Sequence, residues 1–270
     1  MPESIRIYRL DDIYDNIEEI KKRLKPLGYA ITRDLGEGEY GVVYGLRDSE
    51  KVIKCTTDPA EISTSSKLMD KTFHHIVNIY RVFGLKSITG ITFILQERLK
   101  LIPTDQVKVI NLLRPYSSKT IIPITESGTK LQKFKTAREY LDTNHLDIED
   151  DDLNFVFNVL KPHIKNPGSL GVLVDVIMKG EDTVYLREVA KPSNMKVLDA
   201  GVSGLLEMYL NRITFWDTHS GNFMQSFKGN YKWVDLGAGS KAEGTEKIEI
   251  IEALSAKKEY QLVKLVERRR

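Results

Sequence analysis

The chain has 270 residues, of which 41% are hydrophobic and 29% are charged, and its formal net charge is +2. A charge so close to zero gives no reason to expect nucleic acid or a membrane surface as a partner. Because no stretch reaches about 18 uninterrupted apolar residues, no membrane span is predicted. The single cysteine, Cys55, excludes an internal disulfide. Together with a charged N-terminus that lacks a secretory pattern, it predicts a cytoplasmic protein.

The first hundred residues predict one helix followed by a β-rich region. Apolar residues spaced by three and four predict a helix over about 10–25, which Pro26 and Gly28 end. Short β-rich runs follow between residues 30 and 55. Asp58 and Pro59 form a helix start, with Asp58 as N-cap and Pro59 as the first helical residue. Two more strands are predicted over 77–85 and 91–99.

Helical periodicity dominates after about residue 100. The predicted helices cover 104–114, 130–141, 152–165, 170–179 and 192–213. In the last of them, the apolar residues Tyr209, Leu210 and Ile213 share a face with Leu205 and Leu206, which predicts that this face is buried. The acidic run Glu149–Asp152 is interpreted either as a helix N-terminus or as a docking patch for a basic substrate.

Residues 36–43, GEGEYGVV, match the pattern G-x-G-x-x-G-x-V. Glycine allows a backbone to approach phosphates closely, although a tight β-turn produces a similar glycine density. A dinucleotide-binding loop would be followed by a helix, whereas here a strand continues, so the glycines lie in a hairpin. The segment predicts a nucleotide-phosphate loop that uses five residues: Gly36, Gly38, Tyr40, Gly41 and Val43.

Lys54 lies on the strand that follows this hairpin. A lysine there can hold the α- and β-phosphates of a nucleotide if a carboxylate orients it. Two carboxylates qualify: Glu61, in the first turn of the next helix, and Asp70, near the end of that segment.

The segment 213–237 carries the strongest pattern in the chain. Asp217, His219 and Asn222 form D-x-H-x-x-N, and a predicted pair of short strands then leads to Asp235. Phosphoryl transfer needs a carboxylate that orients the acceptor and oxygen ligands that hold Mg²⁺. Asp217 suits the first role, with Asn222 and Asp235 as metal ligands.

Taken together, residues from about 33 to 240 resemble the protein-kinase-like superfamily. In this resemblance Asp217 matches the catalytic aspartate, and Asn222 and Asp235 match the metal ligands. Gln96 matches the gatekeeper, and the backbones of Glu97 and Leu99 would bind adenine. The resemblance implies an α+β, two-lobed fold with a small antiparallel β-rich N-lobe and a larger helical C-lobe. The predicted boundaries are 1–28 for a helical extension, 29–99 for the N-lobe and 100–270 for the C-lobe.

The chain departs from the family in two places. Phe215 and Trp216 replace the usual His-Arg before the catalytic aspartate, and no A-P-E follows Gly237. The position of His219 is similar to that in aminoglycoside phosphotransferases and choline kinases. Substrate choice therefore does not follow from the resemblance.

These patterns predict an enzyme that uses ATP and Mg²⁺, or Mn²⁺, to phosphorylate a hydroxyl group. Tyr40 at the loop tip favours a protein Ser/Thr acceptor slightly over a small molecule of the aminoglycoside or choline type. A nucleotide-binding pseudokinase scaffold and an AMP transferase are the remaining alternatives.

Overall fold

In a computed structural model the chain is an α+β protein with a curled mixed sheet and 48% helix, so the predicted α+β class is confirmed. The structure describes residues 5–47, 49–146, 151–180 and 183–237. They divide into two compact units. Unit 1 holds the described residues of Met1–Thr72, Val77–Arg98 and Asp235–Arg270, and unit 2 holds those of Phe73–Ile76 and Leu99–Val234. No helix in these described ranges is both long and apolar enough to cross a bilayer.

Unit 1 is built on a six-stranded sheet with the order β1-β6-β4-β3-β2, in which β5 also pairs with β6. The strands are β1 (Ile5–Arg6), β2 (Ile31–Gly38), β3 (Gly41–Leu46), β4 (Lys51–Thr56), β5 (Ile79–Leu85) and β6 (Ile88–Glu97). All strand pairs within 29–99 are antiparallel, as predicted. The sheet is mixed because β1, in the segment 1–28 that was predicted to be helical, pairs with β6 in parallel. The amides of Ile5 and Ile7 donate to the carbonyls of Ser87 and Thr89, each at 2.9 Å. A two-residue strand carries no periodicity, so the sequence gives no signal for it.

Three α-helices of unit 1 are described: α1 (Leu10–Asp15), α2 (Ile17–Leu24) and α3 (Pro59–Leu68). The predicted helix over 10–25 is split at Asn16, which ends α1 and precedes α2. Its apolar stripe is buried against the sheet, with Ile13, Ile20 and Leu24 in one cluster with strand residues such as Phe93. The predicted start of α3 is confirmed, because Asp58 accepts a hydrogen bond of 2.9 Å from the Ala60 amide.

Unit 2 is mainly helical. Its α-helices are α4 (Thr104–Ile110), α5 (Ile121–Leu131), α6 (Ala137–Thr143), α7 (Asp151–Phe155), α8 (Pro167–Met178), α9 (Thr183–Val189) and α10 (Met195–Leu210). A π-helical turn over Val156–Leu160 extends α7. A three-stranded antiparallel sheet joins β7 (Leu99–Leu101), β8 (Phe223–Ser226) and β9 (Tyr231–Trp233). The strand pair predicted before Asp235 is therefore confirmed as β8 and β9.

Two helical predictions are wrong in unit 2. The helix predicted over 130–141 crosses a break, because α6 starts anew where the side chain of Thr136 caps the Glu139 amide. The predicted face of α10 is also wrong at its end, since Tyr209 is 43% and Leu210 is 78% exposed. The buried face runs instead through Gly201, Gly204 and Leu205, where small residues admit a tryptophan ring.

Part of the acidic run Glu149–Asp152 falls outside the described residues, namely Glu149 and Asp150. Asp151 and Asp152 form the first turn of α7, where Asp152 also pairs with Arg187. These two positions agree with the interpretation as a helix N-terminus, and the docking patch stays untested.

Candidate functional site

The glycine-rich segment forms a tight β-hairpin, as the sequence predicted. β2 ends at Gly38, β3 begins at Gly41, and Glu39 and Tyr40 form the turn between them. A Cβ atom on Gly41 would lie 2.4 Å from the carbonyl oxygen of Cys55. Packing of β3 against β4 therefore requires a glycine at position 41, independently of any ligand.

The remaining predicted residues of the hairpin differ in their surroundings. The Gly36 amide already donates to Oδ1 of Asp34 at 2.8 Å. Tyr40 at the turn is 45% exposed. Val43 is partly buried and lies opposite Lys54 in the register of β3 and β4. The register therefore brings the predicted lysine next to the glycine hairpin.

Lys54 is buried on β4 between two carboxylates. Its Nζ lies 2.7 Å from Oε1 of Glu61 and 2.8 Å from Oδ1 of Asp235. Burial lowers the pKa of Lys54, but the two carboxylates raise it by more, so the pKa lies above its ordinary value. The amine is therefore a permanent cation held at a fixed place.

Of the two carboxylates that the sequence left open, Glu61 is the partner of Lys54. Glu61 is 3% exposed and comes from the first turn of α3. Burial raises the pKa of Glu61, and the charge of Lys54 acts against that shift. Asp70 is exposed beyond the end of α3, with a φ of 66°, and its amide donates to the Ile79 carbonyl. Asp70 therefore lies in the turn after α3 and does not pair with Lys54.

Asp235 adopts a left-handed backbone conformation with φ of 50°, which is uncommon for a residue other than glycine. A Cβ atom on Gly38 would lie 3.5 Å from Oδ2 of Asp235, so this oxygen is near the hairpin backbone. Leu236 is 2% exposed, and a Cβ atom on Gly237 would lie 2.4 Å from Oδ2 of Asp58. Packing on both following residues therefore holds the Asp235 backbone in a strained conformation, of a kind found at functional sites.

The end of β6 and the start of β7 contain the predicted gatekeeper, Gln96, and the residues whose backbones were predicted to bind adenine, Glu97 and Leu99. The predicted gatekeeper, Gln96, is buried, with 8% of its surface exposed. The amide of Glu97 donates to the Asn78 carbonyl at 3.0 Å, and its carboxylate accepts a hydrogen bond of 2.9 Å from Nδ2 of Asn78. Leu99 begins β7 in unit 2, opposite Ser226.

Asp217, His219 and Asn222 meet in one loop of unit 2. Nδ2 of Asn222 donates to Oδ2 of Asp217 at 2.8 Å and to its main-chain carbonyl at 3.1 Å. Nε2 of His219 lies 3.5 Å from the same Oδ2, and Nδ1 accepts from the Gly221 amide at 3.0 Å. Because Nδ1 accepts that bond, Nε2 is the ring nitrogen that can donate toward Asp217.

The two oxygens of Asp217 are therefore unequal. Oδ2 is occupied by Asn222 and faced by His219, while no residue in the described part of unit 2 bonds to Oδ1. The side chain is 48% exposed, so Oδ1 can accept a hydrogen bond from a ligand hydroxyl. This is the geometry that a general base needs.

A buried aromatic cluster packs against the residues that flank the Asp217–Asn222 loop. The Trp233 ring is fully buried, with its centroid 5.5 Å from that of Phe215 and 4.7 Å from that of Phe223. Its Nε1 donates to the Gly201 carbonyl at 2.9 Å. Phe215 precedes Asp217 by two residues, and Phe223 follows Asn222. Phe215 thus contributes apolar packing beneath the loop.

Two hydroxyl residues of this region were missed in the sequence. Ser118 and Thr218 are 1% and 2% exposed, and both bond to the main chain around the loop. Adjacency to Asp217 is the only sequence signal for Thr218. Ser118 has none, because its contact lies 95 residues away along the chain.

The candidate oxygen ligands for a metal are single side chains and do not form a cluster. No group of three or more His, Cys, Asp and Glu side chains in the described ranges could hold a metal by itself. Oδ1 of Asn222 in unit 2 and Oδ2 of Asp235 in unit 1 accept no hydrogen bond from any described residue. Such oxygens suit Mg²⁺, which takes one or two protein ligands and completes its shell with water and phosphate oxygens.

Comparisons with known proteins give no assignment. No model of a protein family matches the chain, and no curated protein sequence matches it significantly.

Proposed function

We propose that this protein is an ATP-dependent phosphotransferase with a two-lobed, kinase-like fold, composed of a smaller lobe over 29–99 and a larger lobe over 100–270. The observation that carries the proposal is the buried Lys54 cation, held at 2.7 Å by Glu61 and at 2.8 Å by Asp235 beside a glycine hairpin. A buried charge is costly unless it is paired, and replacing such a pair by apolar residues is often neutral or stabilising. A functional demand for a fixed cation explains its presence better than a gain in stability does.

In this proposal Lys54 binds phosphate oxygens of ATP, and Glu61 keeps the amine in place. An ammonium group is a compact charge with three donors, which suits mobile phosphate oxygens. The hairpin backbone from Gly36 to Gly41 covers the phosphates. Bound Mg²⁺ would neutralise phosphate charge, with Asn222 and Asp235 as the protein ligands.

Asp217 acts on the acceptor. Its Oδ1 accepts the hydrogen bond of the acceptor hydroxyl and takes the proton as the oxygen forms its bond to the γ-phosphorus. The bond between that phosphorus and the bridging oxygen breaks, and ADP leaves with the electron pair. Asn222 and His219 hold Oδ2 and keep the carboxylate oriented.

The proposed acceptor is a protein Ser or Thr hydroxyl. Tyr40, 45% exposed at the tip of the hairpin, supports this choice, since an aromatic residue at this place is a feature shared with protein kinases. The contact of His219 with Asp217 favours the second candidate, a small-molecule kinase of the aminoglycoside or choline type.

The test is incubation of the protein with γ-labelled ATP and Mg²⁺, alone, with a cell extract, and with a panel of amino alcohols and sugars. Label on protein is the expected result, and label on a small molecule selects the second candidate. Parallel reactions with α-labelled ATP detect AMP transfer. Asp217→Ala must abolish the signal, and Asp105→Asn, which changes an exposed acid, must leave it intact. ATP binding without any turnover would overturn the proposal in favour of a scaffold.

A further inference from the structure

Side-chain hydrogen bonds hold the loop that carries Asp217 on both sides of this residue. Two buried hydroxyls lie against this loop, Ser118 and Thr218. We propose that Thr218, with Ser118, positions Asp217 for proton transfer by tying the loop to the turn over 113–118. This inference rests on the proposed phosphotransferase function.

Ser118 fixes the chain on the N-terminal side of Asp217. Its hydroxyl donates to the Ile213 carbonyl at 2.7 Å and accepts the Phe215 amide at 2.9 Å. Its own amide donates to the Phe215 carbonyl at 2.7 Å. Three hydrogen bonds from a single residue therefore determine the backbone path two residues before Asp217.

Thr218 fixes the chain on the other side. Its Oγ1 lies 2.9 Å from the Leu113 carbonyl and 3.0 Å from the Tyr116 carbonyl, and its amide donates to the Trp216 carbonyl at 2.9 Å. A hydroxyl has one proton, so it donates to one carbonyl at a time, and either bond holds Thr218 to the same turn.

The anchored hydroxyl determines how the neighbouring side chains are presented. Thr218 is 2% exposed, while Asp217 and His219 on either side are 48% and 41% exposed. Both neighbours approach each other at Oδ2 and Nε2. Because the Thr218 side chain is buried, the side chains of Asp217 and His219 both lie on the exposed side of the loop. In this arrangement Asn222 donates to both the carboxylate and the main-chain carbonyl of Asp217.

The test compares Thr218→Val, which keeps the shape and removes the hydroxyl, with Thr218→Ser, which keeps the hydroxyl. ATP turnover in the presence of Mg²⁺ is measured, with water or the identified acceptor. The Val variant is expected to lose about 10- to 100-fold in kcat with the KM for ATP unchanged, because a small misplacement of a catalytic group has such a cost. The Ser variant is expected to recover most of the loss.

Thr125→Val is the matched control, since Thr125 also donates to a carbonyl, that of Ile121 at 2.8 Å, within α5. Ser118→Ala supplies a second perturbation, and Thr218→Ala replaces the Val variant if the latter does not fold. A folded hydroxyl-free variant that keeps the wild-type kcat, or a control that loses as much, would overturn the inference.

A second readout does not depend on turnover. The side-chain amide signals of Asn222, assigned in a nitrogen–proton spectrum with Asn222→Asp, report its bonds to Asp217. Thr218→Val is expected to move them toward the positions of a free amide, while Thr125→Val leaves them in place. If the wild-type protein shows no turnover, the proposed function fails, and unmoved Asn222 signals would separately reject the positioning role.

Discussion

Lys54 and Glu61 form an ion pair in which both side chains are almost fully buried, 8% and 4% exposed, with Nζ 2.7 Å from Oε1. β4 supplies the amine and α3 supplies the carboxylate. Asp235 accepts a second bond from the same amine, at 2.8 Å, and is 41% exposed. One cation is therefore shared between a buried carboxylate and a partly exposed one. In the proposed function, phosphate replaces the exposed partner while the buried one stays.

This arrangement predicts different outcomes for two similar substitutions. Glu61→Gln keeps the size of the side chain but removes the buried negative charge, and it should lower the free energy of unfolding by about 1–3 kcal/mol and reduce ATP turnover. Asp70→Asn changes an exposed residue in a left-handed turn that asparagine tolerates, and it should stay within about 0.5 kcal/mol. Urea unfolding and a turnover assay measure both effects. Equal effects of the two variants would contradict the pairing.

A second prediction concerns the two oxygens of Asp217. Asp217→Asn should reduce phosphoryl transfer by about 10²–10⁴-fold, the usual contribution of a general base. Binding of MgATP, measured as a shift in melting temperature, should persist, because the residues of unit 1 that are proposed to bind phosphate are unchanged. Asp105→Asn in the same unit serves as the control. Loss of MgATP binding in Asp217→Asn would assign the carboxylate to the nucleotide rather than to the acceptor.

The parts of the site that sequence could predict are local ones. The hairpin around Gly38 and Gly41 follows from glycine spacing and a two-residue turn, and β8 and β9 follow from short apolar runs. The sequence could not decide between Glu61 and Asp70 as the partner of Lys54, because the first turn of α3 and the segment just after its end both carry a carboxylate. Only the tertiary fold, which brings α3 beside β4, selects Glu61.

Long-range contacts account for what the sequence could not predict. Ser118 bonds to Ile213 across 95 positions, and nothing in its neighbourhood distinguishes it from other serines. The buried face of α10 is the one that packs against the Trp233 ring of β9. Tyr209 and Leu210, which periodicity predicted to be buried, lie off that face and are exposed. Periodicity predicts that a helix has a buried face, but the packing partner decides which residues lie on it.

Gly204 on α10 gives a third prediction. A Cβ atom there would lie 2.4 Å from Cδ1 of Trp233 and 2.8 Å from the His75 carbonyl. Gly204→Ala should therefore destabilise the protein by about 1–3 kcal/mol through overpacking, despite the higher helix propensity of alanine. Lys196→Ala, at an exposed position of the same helix, should have little effect. Thermal unfolding followed by tryptophan fluorescence measures the difference, and a stabilised Gly204→Ala would contradict the tight contact.

Tyr14 links α1 to the glycine hairpin. Its hydroxyl donates to Oε2 of Glu37 at 2.5 Å and lies 3.2 Å from Oδ2 of Asp34. Hydrogen bonding to Glu37 raises the pKa of Tyr14 above its ordinary value of 10. Tyr14→Phe removes the donor and leaves two carboxylates facing each other, so the hairpin should loosen and the KM for ATP should rise. Tyr8→Phe is the control, because Tyr8 is 69% exposed.

The same pKa shift fixes the pH dependence of this contact. A group whose pKa is raised by folding contributes stability that is complete below its unfolded pKa and is lost as pH rises through its folded pKa. The difference in melting temperature between wild type and Tyr14→Phe should therefore stay constant from neutral pH to the ordinary value of 10 and shrink only above it. A difference that disappears at neutral pH would contradict the hydrogen bond.

Cys55 provides a probe of unit 1 that needs no substitution. It is the single cysteine of the chain, it is 0% exposed beside Lys54, and burial raises the pKa of its thiol. The native protein should therefore react with a thiol reagent only when unit 1 opens.

A non-hydrolysable ATP analogue with Mg²⁺ at about 100 times its Kd stabilises the bound state by about 2.7 kcal/mol, so labelling should slow by about 100-fold. Mass spectrometry follows the labelling, with the urea-unfolded protein as the reference for full reaction. Lys54→Met should lose the protection by the analogue, and labelling that is fast in native buffer would show that the strand is open where the structure has it closed.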